Sequence, residues 1–306
     1  MNTSTENAAK PRRRWFRFSL RTLLIVMILF AVWCGNASYK AQRQKRALEA
    51  LGKLDLRIHF DYQKRGSGGY STKSQLPGPE WLSRLIGEDY FRDVVEVSTA
   101  FGGPMSSEGM VHLAALPNIE SLYLNESNIS DSSLQYVQGL SGITMLTLRD
   151  NEISDAGLSH LTGLNRLETL GLSKNRIEGD GLQFLGGKTK LRSLFLYDNP
   201  INDVGLSHIA NIPNLEMLGL SRTLITDNGT KHLVHLSKLK YLSLNCEAIS
   251  DASIECLIKM PSLQELELSN TKITPDGFER LRKAIPSCNI NGKRGDGKAI
   301  EQKPFP

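Results

Sequence analysis

From Pro117 to Ala284 the chain writes one 24-residue pattern seven times without a gap. The copies begin at Pro117, Ser141, Asn165, Thr189, Pro213, Ser237 and Pro261. In each copy the third, sixth and eighth positions are apolar, as in Ile143, Leu146 and Leu148. The eleventh is Asn or Thr at Asn151, Asn175, Asn199, Thr223 and Thr271; the other two copies carry Ser127 and Glu247. The thirteenth is Ile throughout, from Ile129 to Ile273. Self-similarity at a fixed period of this length requires a solenoid, because no single unit can bury its own apolar stripe and stacking must do it.

Each unit reads as a short strand, a turn and a short helix. The alternating apolar–polar core is the signature of a strand with one buried face. The eleventh residue stands where the chain leaves the strand, and its side chain can satisfy backbone groups the turn leaves unpaired. After the Ile come Ser130-Asp131, Ser154-Asp155, Asn202-Asp203, Thr226-Asp227 and Ser250-Asp251. Such oxygens are expected to cap helix N-termini. Apolar residues at positions 18, 21 and 24, such as Leu158, Leu161 and Leu164, suit a short α or 3₁₀ segment with one buried stripe.

These units resemble leucine-rich repeats, and the I-[ST]-D-x-G-L turn is similar to the ribonuclease-inhibitor-like and cysteine-containing side of that superfamily. The resemblance covers residues 93–290. It implies an α/β fold: a curved parallel sheet on the concave face, short helices on the convex face, and protein binding on the concave side.

The net charge of +5 is unevenly placed. Residues 1–57 hold 12 Lys/Arg against 3 Asp/Glu, and the rest 25 against 29, so the repeats are mildly acidic. A phosphate backbone needs a basic face, and no nucleic-acid partner is expected. Cys34, Cys246, Cys256 and Cys288 form no C-x-x-C pair, so neither zinc nor a dense disulfide frame is implied; they read as buried or half-buried thiols, with one bridge near the C-terminal end left open.

Ahead of the repeats, residues 1–19 form a basic tail with Arg12, Arg13, Arg14, Trp15, Phe16, Arg17 and Phe18. The uncharged run Thr22–Tyr39 makes 20–39 a transmembrane segment at the short end of the range, with arginines and aromatics suited to the headgroups. It reads as an uncleaved signal anchor or a cleaved signal peptide; Trp33 and Asn36 make a poor cleavage site. Phe18-Ser19-Leu20-Arg21-Thr22-Leu23-Leu24, the basic stretch Lys40 to Arg46 and Leu48-Glu49-Ala50-Leu51-Gly52 resemble the opening of bacterial single-pass membrane-anchored leucine-rich repeat proteins. Lys10, Arg12, Arg13, Arg14, Arg17 and Arg21 precede the span, against Lys40, Arg43, Lys45 and Arg46 after it. That bias puts the N-terminus in the cytoplasm and the repeats outside, on the periplasmic side.

Residues 40–92 are expected to form a juxtamembrane helix and an N-terminal cap. Within them lie an alternating strand at 54–62, a Gly/Ser-rich loop at 64–78, and a short helix from Pro79 holding Trp81, Leu82, Leu85 and Ile86. Val95 and Val97 supply the strand of a degenerate first repeat, whose turn from Thr99 to Pro104 is longer than the others by about three residues, counted against the strand–turn pattern. Ile285 to Ile290 reads as a last edge strand, and 291–306 as a loose tail.

No G-x-S-x-G, phosphate loop or H-E-x-x-H occurs, and no enzyme activity or cofactor is expected. His112, His160, His208 and His232 share one repeat column. That column reads as a polar outer face reused by duplication rather than a metal ladder, since no carboxylate column accompanies it. The informative positions are those pointing out of the strands. Phe195, Tyr197, Met217 and Tyr241, with Tyr123 and Met145, are the candidate partner-binding residues, because clustered exposed aromatics and Met mark contact sites. Gly171 and Gly219 flank Phe195 on the neighbouring strands and are expected to leave room beside its ring. The resulting reading is a membrane-anchored protein-binding or scaffolding module. A protein-turnover adaptor similar to F-box-type leucine-rich repeat proteins is the alternative, but a membrane anchor stands where an F-box would.

Overall fold

The computed structural model describes residues 20–64, 70–71, 74–77, 79–99, 103, 105 and 107–292. The basic tail, most of the extended first turn, part of the Gly/Ser-rich loop and the tail from residue 293 lie outside the described residues.

The seven copies, with flanking units, build one ten-stranded sheet in sequence order. β1 (Leu56–Phe60) pairs antiparallel with β2 (Val94–Thr99). From β2 onward every neighbour is parallel: β3 (Ser121–Tyr123), β4 (Met145–Thr147), β5 (Thr169–Gly171), β6 (Ser193–Phe195), β7 (Met217–Gly219), β8 (Tyr241–Ser243), β9 (Glu265–Glu267) and β10 (Asn289–Asn291). Sixth-position leucines stand opposite one another from Leu122 to Leu266, and with the third-position, eighth-position and Ile columns they form one continuous dry core. The return segments are α3 (Ser107–Leu113), α4 (Asp131–Leu134), α5 (Asp203–Ile209), α6 (Ile254–Leu257) and α7 (Pro275–Ala284), numbered after two helices of the cap; 3₁₀ turns at Gly157–Leu161, Asp180–Leu185 and Gly229–His235 replace them in the other copies. A helical segment is wider than the ~4.8 Å between strands, so the sheet becomes the concave side.

The degenerate first repeat is in a different register from that expected. Val97, not Val95, faces Leu122, so the strand core is Val97 and Thr99. The unit is therefore longer than its successors by one residue, not about three. Val94, Val95 and Val97 are all buried, because a bulge at His59/Phe60 breaks the alternation there, and hydropathy alone allowed either register.

Two side-chain ladders lock the stack. In the first, Asn199 accepts from the backbone N–H groups of Asn175 (3.2 Å) and Ile177 (3.1 Å) and donates to the carbonyls of Leu172 (2.9 Å) and Leu196 (3.1 Å). Asn175 and Asn151 make the corresponding bonds one and two repeats earlier. Thr223 and Thr271 each bond a carbonyl of their own turn, and Thr223 Oγ1 also lies 3.2 Å from Cys246 Sγ in the next repeat. In the sixth copy Cys246, not Glu247, is the buried residue, with its thiol on the Leu220 carbonyl.

The second ladder corrects the capping expectation. Asn202, Ser250 and Thr274 cap their own segments, and Ser154 and Thr226 accept from the N–H two residues on, at Ala156 and Asn228. The aspartates instead reach into the next repeat: Asp131 accepts from Ser154 N (2.8 Å), Asp203 from Thr226 N (2.8 Å) and Asp251 from Thr274 N (2.8 Å). The glycine three residues after each clasped Ser or Thr is explained by the same clasp. A Cβ at Gly157, Gly229 or Gly277 would fall on the carboxylate of Asp131, Asp203 or Asp251.

One core position breaks the pattern. Position 24 holds Leu140, Leu164, Ile212, Leu236 and Met260, but in the third copy it holds Lys188, which is 5% exposed. Its ammonium donates to the carbonyls of Thr162 (3.1 Å) and Leu164 (3.2 Å), at the end of the preceding 3₁₀ turn, where a cation complements the free carbonyls. Burial holds its pKa below the ordinary 10.5. The folded state then releases its proton before the unfolded state does, so stability rises with pH between the two values. Lys188→Met should add about 0.5–2 kcal/mol at neutral pH, and the gain should shrink as pH climbs toward 10. Urea titrations at both pH values check this; a constant gain would mean the ammonium is not under strain.

The N-terminal end is closed by α1 (Leu20–Leu51), a single helix of 32 residues that contains the whole uncharged run. Ala41, Gln44, Ala47 and Leu51 are buried against the repeats. Lys40 pairs with Asp93 at 2.8 Å, Gln44 Nε2 donates to the Arg92 carbonyl at 2.8 Å and Arg43 to the Ala114 carbonyl at 3.0 Å. The short helix expected after Pro79 is α2 (Glu80–Ile86), with Pro79 at its N-cap. At the other end Phe278 and Leu281 of α7 and Ile290 of β10 cover the last repeat.

Candidate functional site

Positions five, seven and nine of each copy make the concave surface. The seventh-position row runs Tyr123, Thr147, Gly171, Phe195, Gly219, Ser243, Glu267, each opposite the next across adjacent strands. The fifth-position row includes Met145, Ser193, Met217, Tyr241 and Glu265.

The structure divides the six candidate residues into two clusters. Phe195 and Tyr197 stack with ring centroids 6.0 Å apart and 21° between planes. Tyr197 stands at position nine, outside β6, and its ring leans across the next strand. A Cβ at Gly219 would sit inside the Tyr197 ring, so the space expected beside Phe195 on that side is already filled by the protein itself. The Tyr197 hydroxyl reaches Tyr241 and Ser243, Tyr241 reaches Glu267, and Ser243 Oγ donates to Glu267 at 2.7 Å. Burial pushes both phenols up, Tyr241 further because of its contacts with Tyr197 and Glu267, so both are neutral hydrogen-bonding groups at physiological pH. Met217, 38% exposed, stands in the row between Ser193 and Tyr241.

Tyr123 and Met145 belong to the second cluster, three strands or about 14 Å away. The Tyr123 hydroxyl donates to the Met145 sulfur at 2.9 Å. Beside it Tyr70 stacks on His59 (4.3 Å), whose Nδ1 lies 3.0 Å from Glu96. Burial, then Glu96, pushes the Tyr70 phenol up to about 12. His59 and Tyr70 come from the cap, which the repeat pattern could not align with the strands.

Between the clusters lies a depression of about 420 Å³ lined by Asn125, Thr147, Arg149, Gly171, Phe195 and Tyr197, with Asp198 and Arg222 on its rim. Gly171 opens it: an added Cβ would make no contact closer than the Thr147 methyl at 3.4 Å. Thr147 Oγ1 is the buried side-chain polar atom left without a partner among the described residues. The rim comes from position ten, where Asp150, Lys174, Asp198 and Arg222 adopt positive φ of 55–58°. That left-handed turn lifts charged side chains into rungs, Lys174–Asp150 at 3.0 Å and Arg222–Asp198, and Arg222 holds the Asp198 carboxyl below the usual carboxylate range. Of column nine only Tyr197 was among the candidates, and of column ten none; the signal was there, in a ninth column of Asn, Arg and Ser broken by that one Tyr.

The histidine column lies on the convex side, in α3, α5 and the 3₁₀ turns at Gly157–Leu161 and Gly229–His235.

The leucine rich repeat family model matches residues 117–177 and 213–273. The repeat array belongs to the leucine-rich repeat superfamily. Among solved structures the chain is similar to an internalin C2 from Listeria monocytogenes, with 26% identity and a TM-score of 0.52 over 66% of this chain and 80% of that one. It is also similar to an internalin (inlF) from the same organism, with 23% identity and a TM-score of 0.45 over 61% and 66% of the two chains. A third is the leucine-rich repeat ectodomain of the plant membrane receptor kinase GASSHO1/SCHENGEN3 from Arabidopsis thaliana, with 21% identity and a TM-score of 0.46 over 61% and 28%. Comparison with curated proteins gives no match.

Proposed function

We propose that the chain is a membrane-anchored protein-binding module that takes its partner on the concave face, between β4 and β8. The depression beside Phe195 and Tyr197 carries this reading. Its wall is aromatic, its floor is opened by Gly171, and Arg149 and the Asp198–Arg222 pair edge it with charge. An aromatic wall inside a polar rim is the anatomy of an interface anchor pocket. A side chain from a partner would enter between Thr147 and Phe195, and its backbone would meet the rim.

Truncating an aromatic anchor at an interface centre costs about 2 kcal/mol or more in binding. A photo-crosslinking residue at Met217 should therefore give a discrete adduct in intact cells, and Phe195→Ala should reduce it strongly. The same probe at Lys231, on the convex side, should give none of that adduct. Equal yields from both faces would remove the concave reading.

The anchor rests on α1, which is long and apolar enough to cross a membrane, and on the basic excess ahead of it. That excess puts the N-terminus in the cytoplasm and the repeats on the far side. A C-terminal reporter active only in the cytoplasm should be silent; an active one reverses the orientation.

A further inference from the structure

We infer that the chain makes a second, shallow contact with the bilayer through α2, so that the repeat array is held at a fixed tilt on the membrane rather than swinging on its anchor. The inference rests on the anchor reading above and concerns a surface that reading does not use.

Rigidity is the first step. α1 does not end where its uncharged run ends. It continues as the same helix from Tyr39 through Lys40 to Leu51, and its last turns are buried in the repeat core. No linker separates span from domain. Whatever packs on α1 near Tyr39 therefore lies at the membrane surface.

Residues 88–93 pack there. Trp33, Asn36, Ala37, Lys40 and Ala41 of α1 face Tyr90, Phe91, Arg92 and Asp93 across a recess of about 460 Å³. Trp33 lies six residues before the end of the uncharged run, about 9 Å along the helix axis. The recess thus straddles the boundary between hydrocarbon and headgroups. α2 packs against residues 88–90, the same turn that packs on α1.

α2 then presents apolar side chains that none of the described residues covers. Trp81 is 65% exposed, Leu85 73% and Ile86 43%, with Tyr90 beside them at 37%. The spacing of Trp81, Leu85 and Ile86 places them on one side of the helix. The convex segments of the repeats, by comparison, expose one apolar residue each, at Val111, Phe184 and Val204. Acidic neighbours are held within the protein: Glu80 pairs with Arg84, Glu88 and Asp89 with Arg92, and Asp93 with Lys40, while Asp61 on the wall of the recess accepts the Asp93 N–H at 2.9 Å. Trp and Tyr favour this depth, and an amphipathic segment lies with its apolar face in the boundary region. The occupant of the patch is therefore the lipid surface that surrounds the span.

The test uses the full chain with Trp15→Phe and Trp33→Phe, which leaves Trp81 as its one tryptophan. It is reconstituted into phosphatidylcholine vesicles with and without bromine near the top of the acyl chains. A ring about 5–10 Å into the boundary lies beside the bromines, and its emission should fall by about half or more. Leu85→Asp with Ile86→Asp should restore the emission while the protein still floats with the vesicles. Flotation without quenching overturns the second contact and leaves the patch to a protein partner. Loss of flotation overturns the anchor itself, and the inference with it.

Discussion

Asn199→Ala should lower the unfolding free energy by about 3–5 kcal/mol, more than most single changes in a domain of this size. The loss comes from what the side chain leaves behind. Asn199 is 2% exposed, and it serves two N–H groups of the preceding repeat and carbonyls of both repeats. Each buried group left without a partner costs about 1–3 kcal/mol, and partial entry of water holds the total below the full sum. Asn199→Thr should cost less, because the fifth copy already runs on Thr223, which bonds the carbonyl of Leu220 three residues back. Urea melts of the two variants check the order. If threonine costs nothing while alanine costs the full amount, the bonds between repeats contribute nothing and the ladder is only a local turn.

That ladder was legible in the sequence as a column of Asn and Thr, and the solenoid followed from the period. What the sequence could not carry was anything set by direction rather than by type. Asp131 and Asp203 looked like helix caps because their neighbours in the chain are helical; their bonds go sideways to Ser154 and Thr226, 23 residues away. Gly157 and Gly229 then follow from the aspartate one repeat earlier, a coupling visible only when two copies are superposed in space. Cys246 took the buried place of Glu247 because the sixth copy lacks the left-handed residue at position ten, and a linear alignment counts both alike.

The concave site divided along the same line. Phe195, Tyr197 and Tyr241 were identifiable as outward aromatics. That Tyr197 would cover Gly219 while Gly171 stayed open depends on which way one ring leans. The surface is therefore asymmetric about Phe195: closed and hydrogen-bonded toward β8, open toward β4. In the proposed binding mode a partner side chain enters past Gly171 and Arg149. The cap was least legible, since His59 and Tyr70 join the surface from outside the repeat and α2 turns its Trp81 and Leu85 away from the core it follows in sequence.

Leu196→Ala is expected to cost about 2–5 kcal/mol, and where that loss appears matters as much as its size. Leu196 is fully buried in the eighth-position column with Leu172 and Leu220 on the adjacent repeats. Its backbone N–H bonds the Gly219 carbonyl of the next repeat at 2.8 Å, and the Leu172 N–H bonds Phe195 in the same way. A cavity there weakens two interfaces at once, and in a solenoid those nearest-neighbour terms carry the stability. Amide exchange should accelerate in the third, fourth and fifth copies together. Leu268→Ala removes the same atoms from the same column in the last copy, where the next strand is the three-residue β10. It should fray the C-terminal end and leave amides near Leu146 and Leu170 protected. Exchange confined to the fourth copy in the Leu196 variant would show that the repeats fold independently. Equal acceleration along the whole array in both variants would make it one cooperative unit, with no direction in which damage spreads.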